Sequence, residues 1–246
     1  MVTDAETRIT LSDGGSVTAI VSEPEGSPAG WRFLYAPGAG ANVHDPFGKF
    51  ACRWLAERGV TTIRFQFPYQ EAGKRGPDRQ PVLEATWRAA IEQLGSSTTG
   101  GQASSLTSGR GGGQRLVAGG RSMGGRIASM VVAAGARADA LVLFAYPLHP
   151  PGKPDARRTE HMADITQPTI FISGARDAFA SPEELSEAAA LVRNSRVSLM
   201  DGADHGFNVP KSTGRTKQDV WQEAVDAMWE WLSGLPHVLP ESPNRA

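Results

Sequence analysis

Apolar positions along the chain recur at two spacings that alternate from one end to the other. Short runs rich in β-branched, aromatic and aliphatic residues predict strands over Thr7 to Leu11, Ser16 to Ser22, Trp31 to Ala36 and Val60 to Phe67. The same pattern returns over Leu116 to Ala118, Ala140 to Tyr146, Thr169 to Ser173 and Val197 to Met200. Between these runs the spacing changes to that of one helical face. Phe47, Phe50, Ala51, Trp54 and Leu55 trace one helix, ended by Gly59, and Leu83, Trp87, Ala90, Ile91 and Leu94 trace another. Ile127, Met130, Val131 and Ala134 predict a third, and Val220, Ala224, Met228, Trp231 and Leu232 the closing one. Ser181, with Pro182 and two glutamates behind it, caps a further helix start. The first two strands meet through Ser12-Asp13-Gly14-Gly15 as a hairpin. Strand and helix then alternate, which predicts an α/β fold with one mostly parallel sheet and helices on both faces.

Composition narrows the picture. With 246 residues, 40% of them hydrophobic, the chain has ample material for one large core, read as a single domain over residues 1–235. Residues 95–114 are almost entirely Gly, Ser, Thr and Gln. They bury too little apolar surface to offset their ordering entropy, so they predict a flexible surface loop. Residues 236–246 predict a poorly ordered tail. A formal net charge of -1 leaves no global field to recruit nucleic acid or an anionic membrane. No apolar run approaches the roughly 18 residues of a membrane span. The polar, acidic start has neither the basic nor the apolar region of a signal peptide. The single cysteine, Cys52, lies on a helix as a packing residue and cannot form an internal disulfide, so a reducing cytoplasm is expected.

The chemistry centres on Gly119-Gly120-Arg121-Ser122-Met123-Gly124-Gly125, between a strand and a helix. Gly120-x-Ser122-x-Gly124 in that setting describes a nucleophile elbow, a tight turn that lifts a serine hydroxyl above the sheet. Two further candidates follow later strands: Asp177, in Gly174-Ala175-Arg176-Asp177, and His205, in Ala203-Asp204-His205-Gly206-Phe207. Such positions lie at the edge where open α/β sheets bind ligands. The order Ser, acid, His predicts a serine nucleophile, an imidazole base and an orienting carboxylate. An oxyanion would be held by the backbone N–H of Met123 and that of Ala39 in the loop Pro37 to Ala41. Gly38, Lys74, Arg75 and His149 are candidates for contacting substrate, the basic pair by recognising a carboxylate or phosphate. His44 more simply serves near the next helix start, and His161 and His237 carry no spacing signal. Nothing in the spacing of histidines and carboxylates suggests a metal, and no cofactor is expected.

These motifs resemble the α/β-hydrolase superfamily over nearly the full length. The segments around Asp177 and His205 are most similar to its compact, dienelactone-hydrolase-like branch. More narrowly, several segments resemble a group of small predicted hydrolases. They are Gly38-Ala39-Gly40-Ala41, Phe65-Gln66-Phe67-Pro68-Tyr69, Gly73-Lys74-Arg75, Arg121 to Arg126 and Tyr146-Pro147-Leu148-His149-Pro150-Pro151-Gly152. That group is related to a regulatory subunit of a chromatin acetyltransferase complex. The resemblance implies an eight-stranded sheet and hydrolytic machinery. Many superfamily members have His-Gly where this chain has Pro37-Gly38, so a side chain that often braces the oxyanion loop is missing. Dienelactone hydrolases use a cysteine where Ser122 stands.

The expected activity is hydrolysis of a small carboxylic ester or thioester through an acyl-enzyme, by a monomer or homodimer on a small-molecule acyl substrate, an anionic one included. Two alternatives are a non-catalytic scaffold binding a protein partner, and acyl transfer, peptidase or perhydrolase chemistry on the same residues. Only about twenty residues separate Tyr146 from the strand at Thr169. That span suits a plain crossover and leaves no room for a helical cap.

Overall fold

A computed structural model describes residues 2–24, 26–96 and 114–236. The predicted 95–114 loop and the 236–246 tail therefore lie outside the described residues, save for Gly95, Ser96, Gln114 and Pro236. Eight strands form one sheet in the order β1-β2-β4-β3-β5-β6-β7-β8. They are β1 Thr3–Thr10, β2 Ser16–Glu23, β3 Trp31–Ala36, β4 Thr61–Phe65, β5 Arg115–Arg121, β6 Ala140–Phe144, β7 Thr169–Gly174 and β8 Ser195–Met200. Only β2 runs against the others, pairing antiparallel with β1 and β4. The helices are α1 Pro46–Ala56, α2 Pro68–Glu71, α3 Gln80–Leu94, α4 Met123–Ala133, α5 Pro182–Ala189 and α6 Lys217–Ser233. This is the α/β-hydrolase fold, and among the described residues no cap domain stands on it.

Alternate residues of the central strands point to opposite faces, so each strand feeds two cores. Leu34, Ala118, Leu143 and Phe171 pack under α3, α4 and α5. Phe33, Tyr35, Val117, Phe144 and Ile172 pack under α1 and α6. The central strands β3 to β7 are buried on both sides, which is why their sequences read as mostly continuous apolar runs.

The chain passes from β3 through α1 on one face and from β5 through α4 on the other. Between these neighbouring strands the direction of winding reverses, and a crevice opens beyond their carboxyl ends. α3 holds the start of α4 beside it. Trp87 is fully buried, meets Phe65 edge-on at 4.8 Å, and donates its indole N–H to the Gly124 carbonyl at 3.1 Å.

β1 starts four residues earlier than its apolar pattern predicts. Its first half is exposed, and it is held by the ladder Thr3↔Glu23 to Glu6↔Ile20 and by Asp4, which accepts from Ser22 and pairs with Arg64. α2 is a single turn inside what reads as a loop. Among the described residues no helix is long and apolar enough to cross a membrane. Cys52 is fully buried on α1, and burial pushes its thiol up to about 12.

Candidate active site

Ser122 stands between β5 and α4 at φ 51°, ψ -119°, a conformation L-residues rarely adopt. The turn is pinned from both sides, since Ser122 N–H donates to the Phe144 carbonyl at 2.8 Å and its own carbonyl accepts from Arg126 N–H at 3.0 Å. The flanking glycines are a packing requirement. A Cβ on Gly120 or Gly124 would collide with the Ala36 carbonyl oxygen at the end of β3. Gly38 lies close by, but a Cβ there would make only an ordinary van der Waals contact with that of Ser122, at 3.5 Å.

The Ser122 hydroxyl lies 2.9 Å from His205 Nε2, and His205 Nδ1 lies 2.8 and 3.0 Å from the two oxygens of Asp177. A carboxylate can only accept, so Nδ1 carries the proton, and in the neutral ring Nε2 is the acceptor facing the hydroxyl. The Asp177 carboxylate is fully buried and is held further by Phe179 N–H at 2.8 Å and the Ser173 hydroxyl at 3.1 Å. Phe179 also stacks on the His205 ring at 4.1 Å. The loop that carries His205 is organised by Asp204, whose carboxylate accepts from Gly206 and Asn208 N–H and from the Asn208 amide. Arg121, immediately before the serine, donates to the His205 carbonyl at 3.1 Å and so ties this loop to the elbow.

A cavity of about 560 Å³ opens over Ser122, with Gly38, Ala39, Met123 and His205 among its walls. Met123 is the first residue of α4, where an N–H has no partner within the helix. The Ala39 N–H has no partner among the described residues, and the Ala39 carbonyl is turned away to accept from the Tyr69 hydroxyl at 2.7 Å. Gln70 contributes a second tie, its amide donating to the Gly38 carbonyl at 3.3 Å. α2 thus braces this loop where many superfamily members use a histidine at the position of Pro37. Glu71 anchors α2 in turn: it accepts from Thr18 N–H at 2.9 Å and the Gln66 amide at 2.5 Å, and pairs with Arg8 at 2.6 Å.

The other sequence candidates lie elsewhere. Lys74 and Arg75 are exposed and line a neighbouring cavity of about 530 Å³ with His44, on the far side of the 39–42 loop. His149 is buried and does not line the Ser122 cavity. Its Nδ1 bonds to the Pro150 carbonyl at 2.9 Å and its Nε2 to Glu184 at 3.1 Å. The Pro150 carbonyl and the Glu184 carboxylate raise the imidazole above its ordinary value. His161 packs against Ser129, whose hydroxyl donates to the Arg126 carbonyl and so accepts from His161 Nε2 at 2.8 Å. Burial and the nearby Arg126 lower that imidazole. Among the described residues, no group of three or more His, Cys, Asp or Glu side chains is placed to hold a metal ion.

Sequence reasoning missed Tyr69 and Gln70 as a brace, Phe179 as the ring over His205, and Arg126 and Arg158 as cavity walls. One signal was readable. Arg126 stands four residues after Ser122, one turn along the same helical face.

The family model for the alpha/beta hydrolase domain matches residues 29–233. The chain belongs to that family. It is accordingly a hydrolase by descent, and solved structures share its fold. A provisionally named dienelactone hydrolase from Klebsiella pneumoniae has a TM-score of 0.70 at 18% identity, covering 96% of this chain and 100% of its own. A dienelactone hydrolase from Anabaena variabilis has a TM-score of 0.67 at 16% identity, with 93% and 98% covered. A serine hydrolase from Xanthomonas campestris, described as lacking a lid, has a TM-score of 0.63 at 19% identity, with 95% and 97% covered.

Proposed function

We propose that the protein is a serine hydrolase that cleaves a small carboxylic ester or thioester through an acyl-enzyme, with Ser122, His205 and Asp177 as its catalytic triad. The observation that carries this reading is the continuous hydrogen-bonded chain from the Ser122 hydroxyl through His205 to the buried Asp177. Ser122 Oγ attacks the carbonyl carbon as its proton passes to His205 Nε2. Asp177 keeps the ring in the required tautomer and stabilises the imidazolium. The negative charge that develops on the carbonyl oxygen is accepted by the N–H groups of Met123 and Ala39. His205 then returns the proton to the departing alcohol or thiol. A water that gives up a proton to the same imidazole attacks the acyl carbon, the Ser122 Oγ–acyl bond breaks as His205 returns that proton to Oγ, and the acid leaves.

The elbow strain supports this assignment, because a non-glycine residue at φ 51° costs energy that a mere turn would avoid. The narrower kinship with small hydrolases related to a chromatin acetyltransferase subunit rests on the sequence motifs alone. A scaffold role has no need of an aligned Ser, His and Asp. The test is labelling by a fluorophosphonate probe, together with turnover of short acyl esters. Wild-type protein should react on Ser122, and Ser122→Ala should lose both labelling and turnover while keeping its thermal midpoint. Wild-type protein that stays unlabelled where control hydrolases react would leave the fold without the activity.

A further inference from the structure

The walls of the Ser122 cavity carry a one-sided charge. Arg121, Arg126 and Arg158 line it, and among the described residues no aspartate or glutamate does. In a chain of net charge -1, that asymmetry is local and not inherited from composition. Arg121 is already committed to the His205 carbonyl and lies 4.0 Å from Asp45. The other two are not committed. Arg126 makes one contact, to the weakly accepting sulfur of Met130 at 3.3 Å, and Arg158 makes one side-chain bond, to the Pro147 carbonyl at 3.1 Å. Neither guanidinium has a carboxylate within ion-pair distance among the described residues, whereas Arg8, Arg64 and Arg215 each reach one.

Both side chains are half-buried, and each guanidinium has five donors, so several remain for a ligand. Two like charges that face a partly desolvated cavity destabilise each other unless an anion lies between them. The Arg126 guanidinium registers this cost: burial and Arg158 lower it, and Tyr146, Glu84 and Glu160, the two carboxylates beyond ion-pair distance, offset that only in part. The two arginines come from separate elements, α4 and the β6–β7 crossover, so the cavity gathers them from both sides. Their backbones are fixed independently. Arg126 N–H bonds to the Ser122 carbonyl, and the Arg158 carbonyl accepts from the Tyr146 hydroxyl at 3.1 Å.

We propose that Arg126 and Arg158 form an anion subsite beside Ser122, so that the substrate is a small acyl ester or thioester bearing a carboxylate or phosphate group. The substrate class rests on reading Ser122 as the nucleophile; the anion subsite does not. Paired guanidiniums match the planar fork of a carboxylate and the tetrahedral face of a phosphate, which lysines at the same places would not. The subsite would anchor one end of the substrate and present the acyl carbon to Ser122, so its contribution falls on orientation as well as affinity.

Two measurements separate the subsite from the hydrolase reading. The first is calorimetric titration of the full-length Ser122→Ala protein with glutarate and, separately, with inorganic phosphate. At least one should bind saturably, and Arg126→Gln or Arg158→Gln should weaken it by ~10-fold or more, as loss of a charge-assisted hydrogen bond implies. The stronger of the two anions identifies the group recognised. Because the arginines sit on different elements, a variant that fails to fold leaves the other to report. No binding of either anion, or equal binding in both arginine variants, overturns the subsite.

The second measurement compares the p-nitrophenyl half-ester of adipic acid with p-nitrophenyl hexanoate, which differ only in the terminal carboxylate. Wild-type kcat/KM should favour the half-ester by ~10-fold or more, and the ratio should fall towards one in the arginine variants. Hydrolysis of both esters without preference keeps the hydrolase and removes the subsite. Arginine-dependent glutarate binding without hydrolysis of either ester keeps the subsite and removes the hydrolase. A preference abolished by Arg75→Gln, and not by Arg126→Gln or Arg158→Gln, would place anion recognition in the neighbouring cavity and overturn the proposal.

Discussion

Ser122 is held where an L-residue is strained, and that strain can be measured apart from chemistry. At φ 51°, ψ -119° its Cβ crowds its own backbone, at a cost of order 1–3 kcal/mol. Ser122→Ala keeps the Cβ and the strain, so its stability should stay near that of wild type. Ser122→Gly removes the Cβ and should gain about 1 kcal/mol in chemical denaturation, the glycine's added unfolded-state entropy taking back part of the relief. A destabilised Ser122→Gly protein would show that the turn is relaxed. Glu71 offers a second single-residue test, read against pH. Burial alone would raise its carboxyl, but hydrogen bonds from Thr18, Gln66 and Arg8 outweigh that and bring it down to about 2. The unfolded chain holds such a carboxyl near roughly 4.3, so the folded state favours the ionised form. Its contribution is therefore full above about pH 4.5 and is lost as pH falls through about 2. Glu71→Gln should cost about 1–2 kcal/mol near pH 7, the partial exposure of the site limiting the figure, and the gap should close by about pH 2. A gap that stays constant across that range would make its origin steric.

At the scale of elements, α2 shows why part of the site was hidden from sequence. One turn, Pro68–Glu71, leaves no periodicity to detect, and its purpose appears only where the Tyr69 hydroxyl and Gln70 amide reach the carbonyls of Ala39 and Gly38. Burial raises the Tyr69 phenol, which keeps it a donor. The brace holds the loop whose Ala39 N–H we propose as an oxyanion donor, which would make Tyr69 and Gln70 positioning residues. Tyr69→Phe should lower kcat by ~3- to 10-fold with little change in KM, because the loss falls on transition-state hydrogen bonding. Tyr69→Phe with Gln70→Leu should lose more than the product of the two single effects, since either tie partly holds the loop when the other is removed. A rise in KM at constant kcat would assign Tyr69 to ground-state binding instead. The elbow, by contrast, was legible because its signal is steric and local: only glycine fits where Gly120 and Gly124 meet the Ala36 carbonyl. Asp177 stood out because it follows β7, which is buried throughout, and His205 because it follows the short alternating pattern of Val197 to Met200 in β8. Arg158 and His149 were not. Both lie in the 145–168 crossover, whose path starts from Ala145 at φ 47° and follows no hydrophobic period. That path delivers Arg158 to the cavity and turns His149 away onto Glu184.

At the scale of the whole molecule, substrate size is set by what stands above the sheet. The β6–β7 crossover holds only a three-residue 3-10 turn, Met162–Asp164, and among the described residues no helix roofs Ser122. The walls are mostly loops from five places in the chain, represented by Ala39, Pro77, Pro147, Phe179 and His205, with arginines between them. Such a cavity gives a long acyl chain little apolar surface. Each methylene left in water forfeits about 0.8 kcal/mol of burial. Lengthening the acyl group should therefore stop increasing kcat/KM after a few carbons, and past that point crowding against Pro147 and Phe179 should lower it. p-Nitrophenyl acetate and butyrate should be cleaved faster than the decanoate or palmitate, and no step in rate should appear as a long-chain ester passes its solubility limit. With no roof over Ser122 among the described residues, an oil–water interface has nothing there to act upon. A rate that climbs through the long-chain series, or jumps at the interface, would mean that apolar surface is being supplied from outside these loops, and the size argument would fail.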